Sequence, residues 1–586
     1  MAQPRIIVVG GGLAGLMTTI RIAEAGCAVD LFSVVPVKRS HSVCAQGGIN
    51  AAVNWKGEGD SPLRHFDDTI YGGDFLANQP PVLKMCEAGP GIIFLLDRMG
   101  VTFNRTPEGL LDFRRFGGTL HHRTAFAGAT TGQQLLYALD EQVRRHEAAG
   151  LVRKFETWEF CSAVLDETGR CRGITALDLR SMAVQPFPGA AVMLATGGPG
   201  IVFGKSTNSV VNTGSAAAAA YQQGAFYANG EFIQVHPTAI PGPDKLRLIS
   251  ESIRGEGGRV WVPRNGKPWY FLEEWYPAYG NLVPRDIATR AIFKVVFEMD
   301  LGIDGQPMVY LDVSHLDPHM LDVKVGGVLE IYEKFMGDDP KKVPMKIFPG
   351  MHYSMGGLWV DYDHMTNVPG LFAAGEVDYQ YHGANRLGAN SLLSCLYSGE
   401  VAGPAMVAYA KGQPTAAANG LLERETKRQA DAYDRLKRMD GPENAYALAR
   451  EMGEWMTANV TVVRYNEKLK ATDDKLRELK DRWGRIGITD RGAWANHEVS
   501  FVKQLWNMIE LGRVITLGAL RRDESRGAHY KPEFEQRDDF NWLKTTKALW
   551  TSDGPEFSYE PVDTSLIPPR PRKYDVASQV TRSGGH

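Results

Sequence analysis

A histidine in a basic loop follows shortly after a glycine-rich turn near the start of the chain. Residues 6–9 (Ile-Ile-Val-Val) are apolar, and residues 10–15 (Gly-Gly-Gly-Leu-Ala-Gly) have the G-x-G-x-x-G spacing. Such glycines permit a tight turn and let backbone amides approach a pyrophosphate at a helix N-terminus. His41 then lies within residues 38–48 (Lys-Arg-Ser-His-Ser-Val-Cys-Ala-Gln-Gly-Gly). The glycine motif alone predicts only dinucleotide binding, and the histidine loop is the more specific signal.

Five further strings combine histidine, arginine, glutamate and hydroxyl side chains. They are residues 234–238 (Gln-Val-His-Pro-Thr), 250–258 (Ser-Glu-Ser-Ile-Arg-Gly-Glu-Gly-Gly), 284–290 (Pro-Arg-Asp-Ile-Ala-Thr-Arg), 352–357 (His-Tyr-Ser-Met-Gly-Gly) and 382–393 (His-Gly-Ala-Asn-Arg-Leu-Gly-Ala-Asn-Ser-Leu-Leu). Each is weak evidence alone, since an isolated His-Pro-Thr is more often a turn and an isolated Pro-Arg-Asp more often a helix start. All five in this order, after the His41 loop, resemble the flavoprotein subunits of succinate dehydrogenase and fumarate reductase. The resemblance spans about residues 5–400 and continues more loosely to residues 522–529 (Arg-Asp-Glu-Ser-Arg-Gly-Ala-His).

The resemblance implies FAD bonded covalently to the imidazole of His41. The glycine turn would hold the pyrophosphate through Gly10, Gly12, Leu13, Ala14 and Gly15. The histidine loop would contact the flavin edge through Arg39, Ser40, His41, Ser42, Gln46, Gly47 and Gly48. An electron-withdrawing imidazole substituent favours the reduced flavin. The oxidation of succinate, a weak reductant, requires that effect.

The remaining cofactor contacts are expected from residues further along the chain. Ser33 would lie on the adenosine side, where the generic fingerprint has an acidic residue but this family tends to have serine. Glu376 would hold ribityl or ribose hydroxyls, and Ser391 and Leu392 would offer backbone amides near the pyrimidine end of the ring. At Ser215 the family often has Asp, so the missing charge leaves an FAD contact there open.

The implied substrate, succinate or fumarate, is a small dianion with two carboxylates. A buried carboxylate needs fixed donors, because an unpaired buried charge is very costly. Arg386 offers a planar bidentate fork for one carboxylate. His236, His352 and Ser250 can donate to carboxylate oxygens; the family usually has Thr where this chain has Ser250, and the hydroxyl is retained.

The implied reaction removes hydrogen from two adjacent carbons of the substrate. A hydride passes to the flavin, and a proton passes to a protein base. In the family the base is an arginine, which aligns with Arg285. An arginine is a poor base at its ordinary pKa above about 12, but a neighbouring cation and desolvation both favour the neutral form. Arg254 would be that cation and Glu251 a relay carboxylate. Without the surrounding motif, this i,i+3 pair would be interpreted as a surface ion pair.

Composition limits the class of protein. The chain has 586 residues, 44% hydrophobic and 23% charged, which is typical of a soluble globular protein with a large core. The formal net charge of −3 argues against a nucleic-acid binder. No apolar run approaches the roughly 18 residues of a membrane span, and the N-terminal apolar stretch lacks a basic region typical of a signal peptide. These features predict a cytoplasmic location.

Three returns of a strand followed by glycine predict one domain with an interrupted sequence. They lie at residues 5–32, 191–198 and 370–376. We expect an α/β fold: a Rossmann-like FAD-binding domain (residues 1–236 and 351–414), interrupted by an α+β capping domain (237–350) and followed by a helical domain (415–535). Residues 421–433 and 466–482 have helical periodicity with i,i+4 charge pairs. The Pro-, Asp- and Arg-rich tail, residues 536–586, is expected to be loosely ordered.

The cysteines bear on partners. All six are scattered, without a C-x-x-C pair or metal-ligand spacing, so no metal site is expected and this chain cannot hold a Cys-ligated iron–sulfur cluster. Within the family, the chain most resembles the succinate dehydrogenases of Gram-positive bacteria. This resemblance implies a separate iron–sulfur subunit and a haem-bearing cytochrome b membrane anchor. Electrons would pass to quinone, with menaquinone as one candidate. The chain would then lie on the cytoplasmic face of the cell membrane through these partners.

Three alternatives remain open at this stage. A fumarate reductase would run the same site in reverse, and the sequence does not separate the two directions. A soluble enzyme resembling L-aspartate oxidase shares the fold and the arginine base, but that family lacks the flavin-linking histidine, so His41 argues against it. A non-catalytic FAD-binding scaffold would not need Arg285, His236, His352 and Arg386 together.

Overall fold

A computed structural model of the chain describes residues 5–242, 245–413 and 419–574. The expected boundary between residues 414 and 415, and residues 575–586 of the expected tail, lie outside these ranges. The strands are β1 (Arg5–Val9), β2 (Ala28–Ser33), β3 (Ile49–Asn50), β4 (Phe113–Arg114), β5 (Thr124–Ala125), β6 (Val152–Glu156), β7 (Trp158–Leu165), β8 (Cys171–Asp178), β9 (Val184–Pro188), β10 (Ala191–Leu194), β11 (Tyr227–Ala228), β12 (Ile233–Ile240), β13 (Arg247–Leu248), β14 (Arg259–Arg264), β15 (Lys267–Trp269), β16 (Val309–Asp312), β17 (Met345–Ser354), β18 (Gly357–Leu358), β19 (Leu371–Ala373), β20 (Lys544–Leu549) and β21 (Glu556–Pro561).

The α-helices connect and cover these strands. They are α1 (Leu13–Glu24), α2 (Pro62–Gly72), α3 (Gln79–Arg98), α4 (Thr131–Ala148), α5 (Ser215–Gln222), α6 (Ser252–Gly255), α7 (Phe271–Trp275), α8 (Arg285–Phe293), α9 (Pro318–Met336), α10 (Asn390–Lys411), α11 (Asn419–Lys437), α12 (Ala445–Val460), α13 (Asn466–Trp483), α14 (His497–Arg521) and α15 (Asp539–Trp542). In the part of the chain that the structure covers, no helix is both long and apolar enough to cross a membrane.

The central sheet is parallel and has the strand order β19-β10-β1-β2-β6. The three strands followed by glycine, β1, β10 and β19, are neighbours in it, with Ile7 opposite Val192 and Met193 opposite Phe372. Their residues are almost entirely buried and apolar, as expected for strands covered on both faces. The expected Rossmann-like FAD-binding fold is confirmed.

The insertion forms an antiparallel sheet with the order β13-β12-β17-β16-β14-β15, packed against α8 and α9. Its first and last long strands, β12 and β17, pair antiparallel with each other. The expected boundaries at residues 237 and 350 fall inside these two strands, because the pair runs continuously out of the FAD-binding domain into the cap.

Helices α11 to α14 follow, and the helical periodicity at residues 421–433 and 466–482 corresponds to α11 and α13. The longest of them, α14, packs against α13 and reaches α5 of the FAD-binding domain.

The expectation of a loosely ordered tail is wrong for residues 544–561. Strands β20 and β21 pair with each other, and β20 also pairs with β11 in a four-stranded sheet. Asn229 accepts a hydrogen bond from the Thr546 backbone N–H (2.9 Å), so the hairpin is tied to the FAD-binding domain. One face of the hairpin is exposed to solvent, so the segment has a polar composition. For that reason its composition did not indicate strand pairing.

The contact between α1 and α10 depends on glycine. A Cβ atom on Gly399 would lie 2.8 Å from the Ala14 carbonyl oxygen and 2.8 Å from the Met17 Cβ. Gly91, in α3, is exposed and has open space around the same position. The first site is therefore overpacked by a single methyl group, and the second is not.

We predict that Gly399→Ala destabilises the protein by about 1–3 kcal/mol through overpacking. The matched variant Gly91→Ala should leave stability unchanged or raise it by up to about 1 kcal/mol, since alanine favours helix more than glycine. Denaturant unfolding of the two purified variants would measure the difference. Equal stability of both variants would contradict the close approach of α1 and α10.

Candidate active site

A cavity of about 410 Å³ lies at the carboxyl ends of the central strands. This volume is within the usual range for small-molecule sites. Its lining includes the glycine turn at the start of α1, Ser33, His41 and Glu376, together with residues of β7 and of α14 in the helical domain. Helix α1 has no acidic residue in its first turn, and its N-terminal end carries partial positive charge, which suits a phosphate.

His41 is held by a segment that the sequence did not single out. The backbone N–H of Ser209 donates to His41 Nδ1 at 3.1 Å, and Asn208 Nδ2 lies 3.2 Å from Nε2. Because Nδ1 accepts from this backbone N–H, Nε2 is the ring nitrogen left without a backbone donor. Burial lowers the pKa of His41 to about 4, with Lys245 adding to the effect, so the ring is neutral at neutral pH.

Next to His41 is a buried chain of two arginines bridged by one glutamate. Arg285 donates from Nε to Glu251 Oε2 at 2.8 Å, and Arg254 donates from Nη2 to Glu251 Oε1 at 2.5 Å. All three side chains are at most 5% exposed. Burial alone would raise the pKa of Glu251, but the two guanidinium groups hold it below its ordinary value. The expected relay geometry is therefore present: one carboxylate bonds both cations.

The substrate-binding residues expected from the sequence lie around Arg285. The rings of His236 and His352 are 5.0 Å apart, and His352 Nδ1 contacts the Thr207 hydroxyl at 2.7 Å. The Arg386 guanidinium lies over the Tyr353 ring at 4.3 Å. Burial, and then the charge of Arg285, lowers the pKa of Arg386 to about 9. Burial and the same charge keep the pKa of both histidines well below its ordinary value.

Two of these residues have donors without a partner. His236 Nδ1 accepts from the Thr238 backbone N–H at 3.2 Å, so Nε2 carries the hydrogen. Neither His236 Nε2 nor Arg386 Nε has a hydrogen-bond partner among the residues that the structure describes, and both are buried. Buried donors are normally satisfied, so these atoms fit an acceptor group supplied by a ligand.

The other expected cofactor residues divide into those that line the cavity and those that support it. Lining residues are Gly10, Gly12, Leu13, Ala14, Ser33, Ser40, His41, Ser42, Ser215 and Glu376. The cavity wall as measured does not include Gly15, Arg39, Gln46, Gly47, Gly48, Ser391 or Leu392.

The supporting residues have visible structural roles. A Cβ on Gly15 would lie 1.9 Å from the Gly10 carbonyl oxygen, so this glycine lets α1 pack on the turn. The carbonyl groups of Gln46 and Gly47 accept hydrogen bonds from the buried Arg114. Ser391 lies one turn before the lining residue Cys395, on the same side of α10.

Several further expected residues have informative surroundings. Ser250 accepts from the Ser252 backbone N–H at 3.3 Å and is buried. Ser215 begins α5, lines the cavity and accepts a hydrogen bond from Asn507 of α14 at 2.7 Å. Arg39 is exposed at the end of a short 3₁₀ helix.

Sequence reasoning missed three features of the site. Gln234 accepts from Arg285 Nη1 at 3.0 Å; its position two residues before His236, on the same face of β12, could have indicated it. Residues 206–209 contact both His41 and His352 but carry no motif. Phe501 and Gln504 on α14 line the cavity, which no local pattern indicates.

Family models and relatives agree with this arrangement. A model for the FAD binding domain matches residues 5–392, and one for the fumarate reductase flavoprotein C-terminus matches residues 449–574. The chain is 68% identical over 579 residues to the succinate dehydrogenase flavoprotein subunit of Bacillus subtilis, covering 98% of this chain and 99% of that one.

Solved structures give the same result. A variant of the Escherichia coli quinol fumarate reductase superposes with a TM-score of 0.93 at 31% identity, covering 98% of this chain and 99% of that one. A quinol–fumarate reductase with menaquinol molecules superposes with a TM-score of 0.90 at 31% identity, covering 97% and 99%. The chain therefore belongs to the family of succinate dehydrogenase and fumarate reductase flavoprotein subunits.

Proposed function

We propose that this chain is the catalytic flavoprotein subunit of a succinate dehydrogenase, which oxidises succinate to fumarate with covalently bound FAD. The observation that carries the proposal is the buried Arg285–Glu251–Arg254 chain, which faces the unpartnered donors of His236 and Arg386. FAD-binding character follows from the family; the covalent bond and the residue roles are the proposal.

The cavity is lined by the groups expected to contact FAD. The glycine turn at the N-terminus of α1 would hold the pyrophosphate, with Ser33 towards the adenosine and Glu376 towards the ribityl chain. Burial raises the pKa of Glu376 to about 7, so it can donate as well as accept a hydrogen bond near neutral pH. His41 also lines the cavity, and its Nε2 would form the bond to the flavin, since its Nδ1 accepts from the Ser209 backbone N–H.

The charges around the site match a dicarboxylate. Three buried guanidinium groups, those of Arg285, Arg254 and Arg386, surround the single carboxylate of Glu251. When all three guanidinium groups are protonated, two positive charges are not balanced by Glu251, and together they are equal and opposite to the charge of succinate. Arg386 would bind one carboxylate, and the His236 ring, neutral and donating from Nε2, would bind a carboxylate oxygen.

Proton transfer would follow the ion-paired chain. When FAD is bound, it accepts the hydride from one carbon of the substrate. Arg285 would accept the proton of the adjacent carbon in its neutral form, which it would reach by passing its own proton through Glu251 to Arg254 after Arg254 has released one, since Glu251 bonds both groups. Burial, with the nearby charge of Arg285, lowers the pKa of Arg254, and this favours that release.

Fumarate reductase is the second candidate, because two solved structures that superpose with TM-scores of 0.93 and 0.90 are quinol–fumarate reductases. The same residues would then act in reverse, with Arg285 donating the proton. The 68% identity to a succinate dehydrogenase subunit favours succinate oxidation as the physiological direction.

Electrons would leave through partner subunits. We infer an iron–sulfur subunit, a cytochrome b membrane anchor and quinone as acceptor, with peripheral attachment to the cytoplasmic face of the membrane. Menaquinone is one candidate, since one solved relative contains menaquinol molecules, whereas another is in complex with UQ1.

The covalent link is tested by His41→Ser. Acid-precipitated wild-type protein should retain fluorescent flavin, and the variant should release it while still binding FAD, since the glycine turn is unchanged. The variant should lose succinate oxidation more than fumarate reduction, because the flavin potential falls without the imidazole substituent. Quantitative release of FAD from fully matured wild-type protein would contradict the link.

Substitutions of Arg285 and of Arg386 should affect different quantities, the first mainly kcat and the second mainly the affinity for dicarboxylates. Arg285→Gln should lower kcat by at least about 100-fold, as for loss of a general base, while dicarboxylate affinity changes by less than about tenfold. Arg386→Ala should weaken dicarboxylate affinity first, because it removes a bidentate partner. Steady-state kinetics and inhibitor titrations would measure both. Normal turnover of Arg285→Gln would show that another group, such as Glu251 or His352, accepts the proton.

The need for partners is tested with the purified chain. With succinate it should reduce its own flavin and a soluble dye, yet it should not reduce a quinone. Adding the iron–sulfur subunit and membrane anchor should restore quinone reduction. Quinone reduction by the single chain at the rate of the complex would contradict the proposed electron path.

A further inference from the structure

A C-terminal segment, residues 563–574, here called the strap, runs from the FAD-binding domain onto the cap. Its first half is bonded to the FAD-binding domain: Gln79 accepts from the Ile567 backbone N–H and donates to the Ile567 carbonyl, each at 2.8 Å. Arg570 then pairs with Asp67 of α2 at 2.6 Å. The FAD-binding domain therefore fixes the path of the strap before it reaches the cap.

The second half of the strap is bonded to the cap. Arg572 donates to both oxygens of Asp286, at 2.8 and 3.2 Å, and its Nη1 lies 3.5 Å from the carboxylate of Asp74 in the FAD-binding domain. The three side chains are at most 8% exposed. Tyr574 is buried in the cap core, with ring centres 5.1 Å from Tyr279 of the cap and 5.5 Å from Tyr71 of α2.

Asp286 follows Arg285 directly, in the first turn of α8. The contacts of its carboxylate therefore influence the position of the helix end that carries Arg285. Its other side-chain ion pair in the structure is with Arg290, four residues later on the same helix, at 3.4 Å. That pair moves with α8, whereas the pair with Arg572 connects α8 to a different domain.

We propose that Arg572 is a positioning residue: by pairing with Asp286 and Asp74 it holds the start of α8, and hence Arg285, at a fixed place against the FAD-binding domain. This inference rests on the proposed function of Arg285. A planar guanidinium can bond two carboxylates in fixed directions, which a lysine cannot do equally well. A small misplacement of a catalytic group is sufficient to slow a reaction strongly.

The test compares Arg572→Gln with Arg570→Gln in the assembled complex that contains the full chain. Arg570 is the matched control, because it lies on the same strap but pairs within the FAD-binding domain only. Activity is expressed per covalent flavin, and affinity is measured with malonate, a dicarboxylate that cannot be oxidised in this way. Hydrogen exchange of the amides of residues 285–293 is measured without substrate.

For Arg572→Gln we expect kcat to fall about tenfold or more, with an increased deuterium isotope effect on succinate oxidation. Malonate affinity should change by less than about threefold, because Arg386 and the two histidines remain in place. Amide exchange at the start of α8 should become faster. Arg570→Gln should match wild type in all these measurements. A kcat within twofold of wild type for Arg572→Gln, or an equal loss in Arg570→Gln, would overturn the proposal.

If Arg572→Gln does not yield flavin-loaded protein, Arg572→Lys decides the question. It keeps the charge but not the two fixed directions, so kcat should fall at least about threefold at normal flavin content; a wild-type kcat would contradict the proposal. Wild-type complex that fails to oxidise succinate would instead contradict the proposed function. The exchange measurement needs no turnover, so it would still test the strap.

Discussion

The pairing of Glu251 with two arginines is the interaction on which the rest of the site depends. Charged groups buried without compensation are costly, and removal of one partner of a buried pair leaves the other exposed to that cost. Glu251 bonds Arg285 and Arg254 at once and so allows both to remain in a space without bulk water. With the buried Arg386 close by, the site contains more guanidinium groups than Glu251 alone balances, which suits the dicarboxylate of the proposed function.

The same constraint explains why the site lies where two domains meet. His236 is on β12 and His352 is on β17, the two paired strands by which the chain enters and leaves the cap. Arg285 and Glu251 belong to the cap, whereas Arg386 and His41 belong to the FAD-binding domain. A small ligand enclosed from both sides can be desolvated on every face, which strengthens each electrostatic contact with it. Under the proposed function, the fold separates cofactor binding, on the central sheet, from proton removal, on the cap.

Much of this could be predicted from the sequence, because the relevant signals are local. The glycine turn of residues 10–15, the apolar strands and the helical charge pairs each depend on neighbours within one element. The motifs around Glu251, Arg285 and Arg386 also carried enough resemblance to name the chemistry. The tail was misjudged, because β20 and β21 are stabilised by Asn229 and β11, more than three hundred residues earlier in the chain.

The sequence by itself determined the fold class, the cofactor class and the types of residue at the site. Only the tertiary structure decided which nitrogen of His41 is held as an acceptor by Ser209, which donors of His236 and Arg386 lack partners in the described chain, and that Arg572 reaches Asp286. The physical reason is distance along the chain. Hydrogen bonds and ion pairs form between atoms a few ångströms apart, and residues 41 and 209, or 286 and 572, are brought that close only by the packing of whole domains.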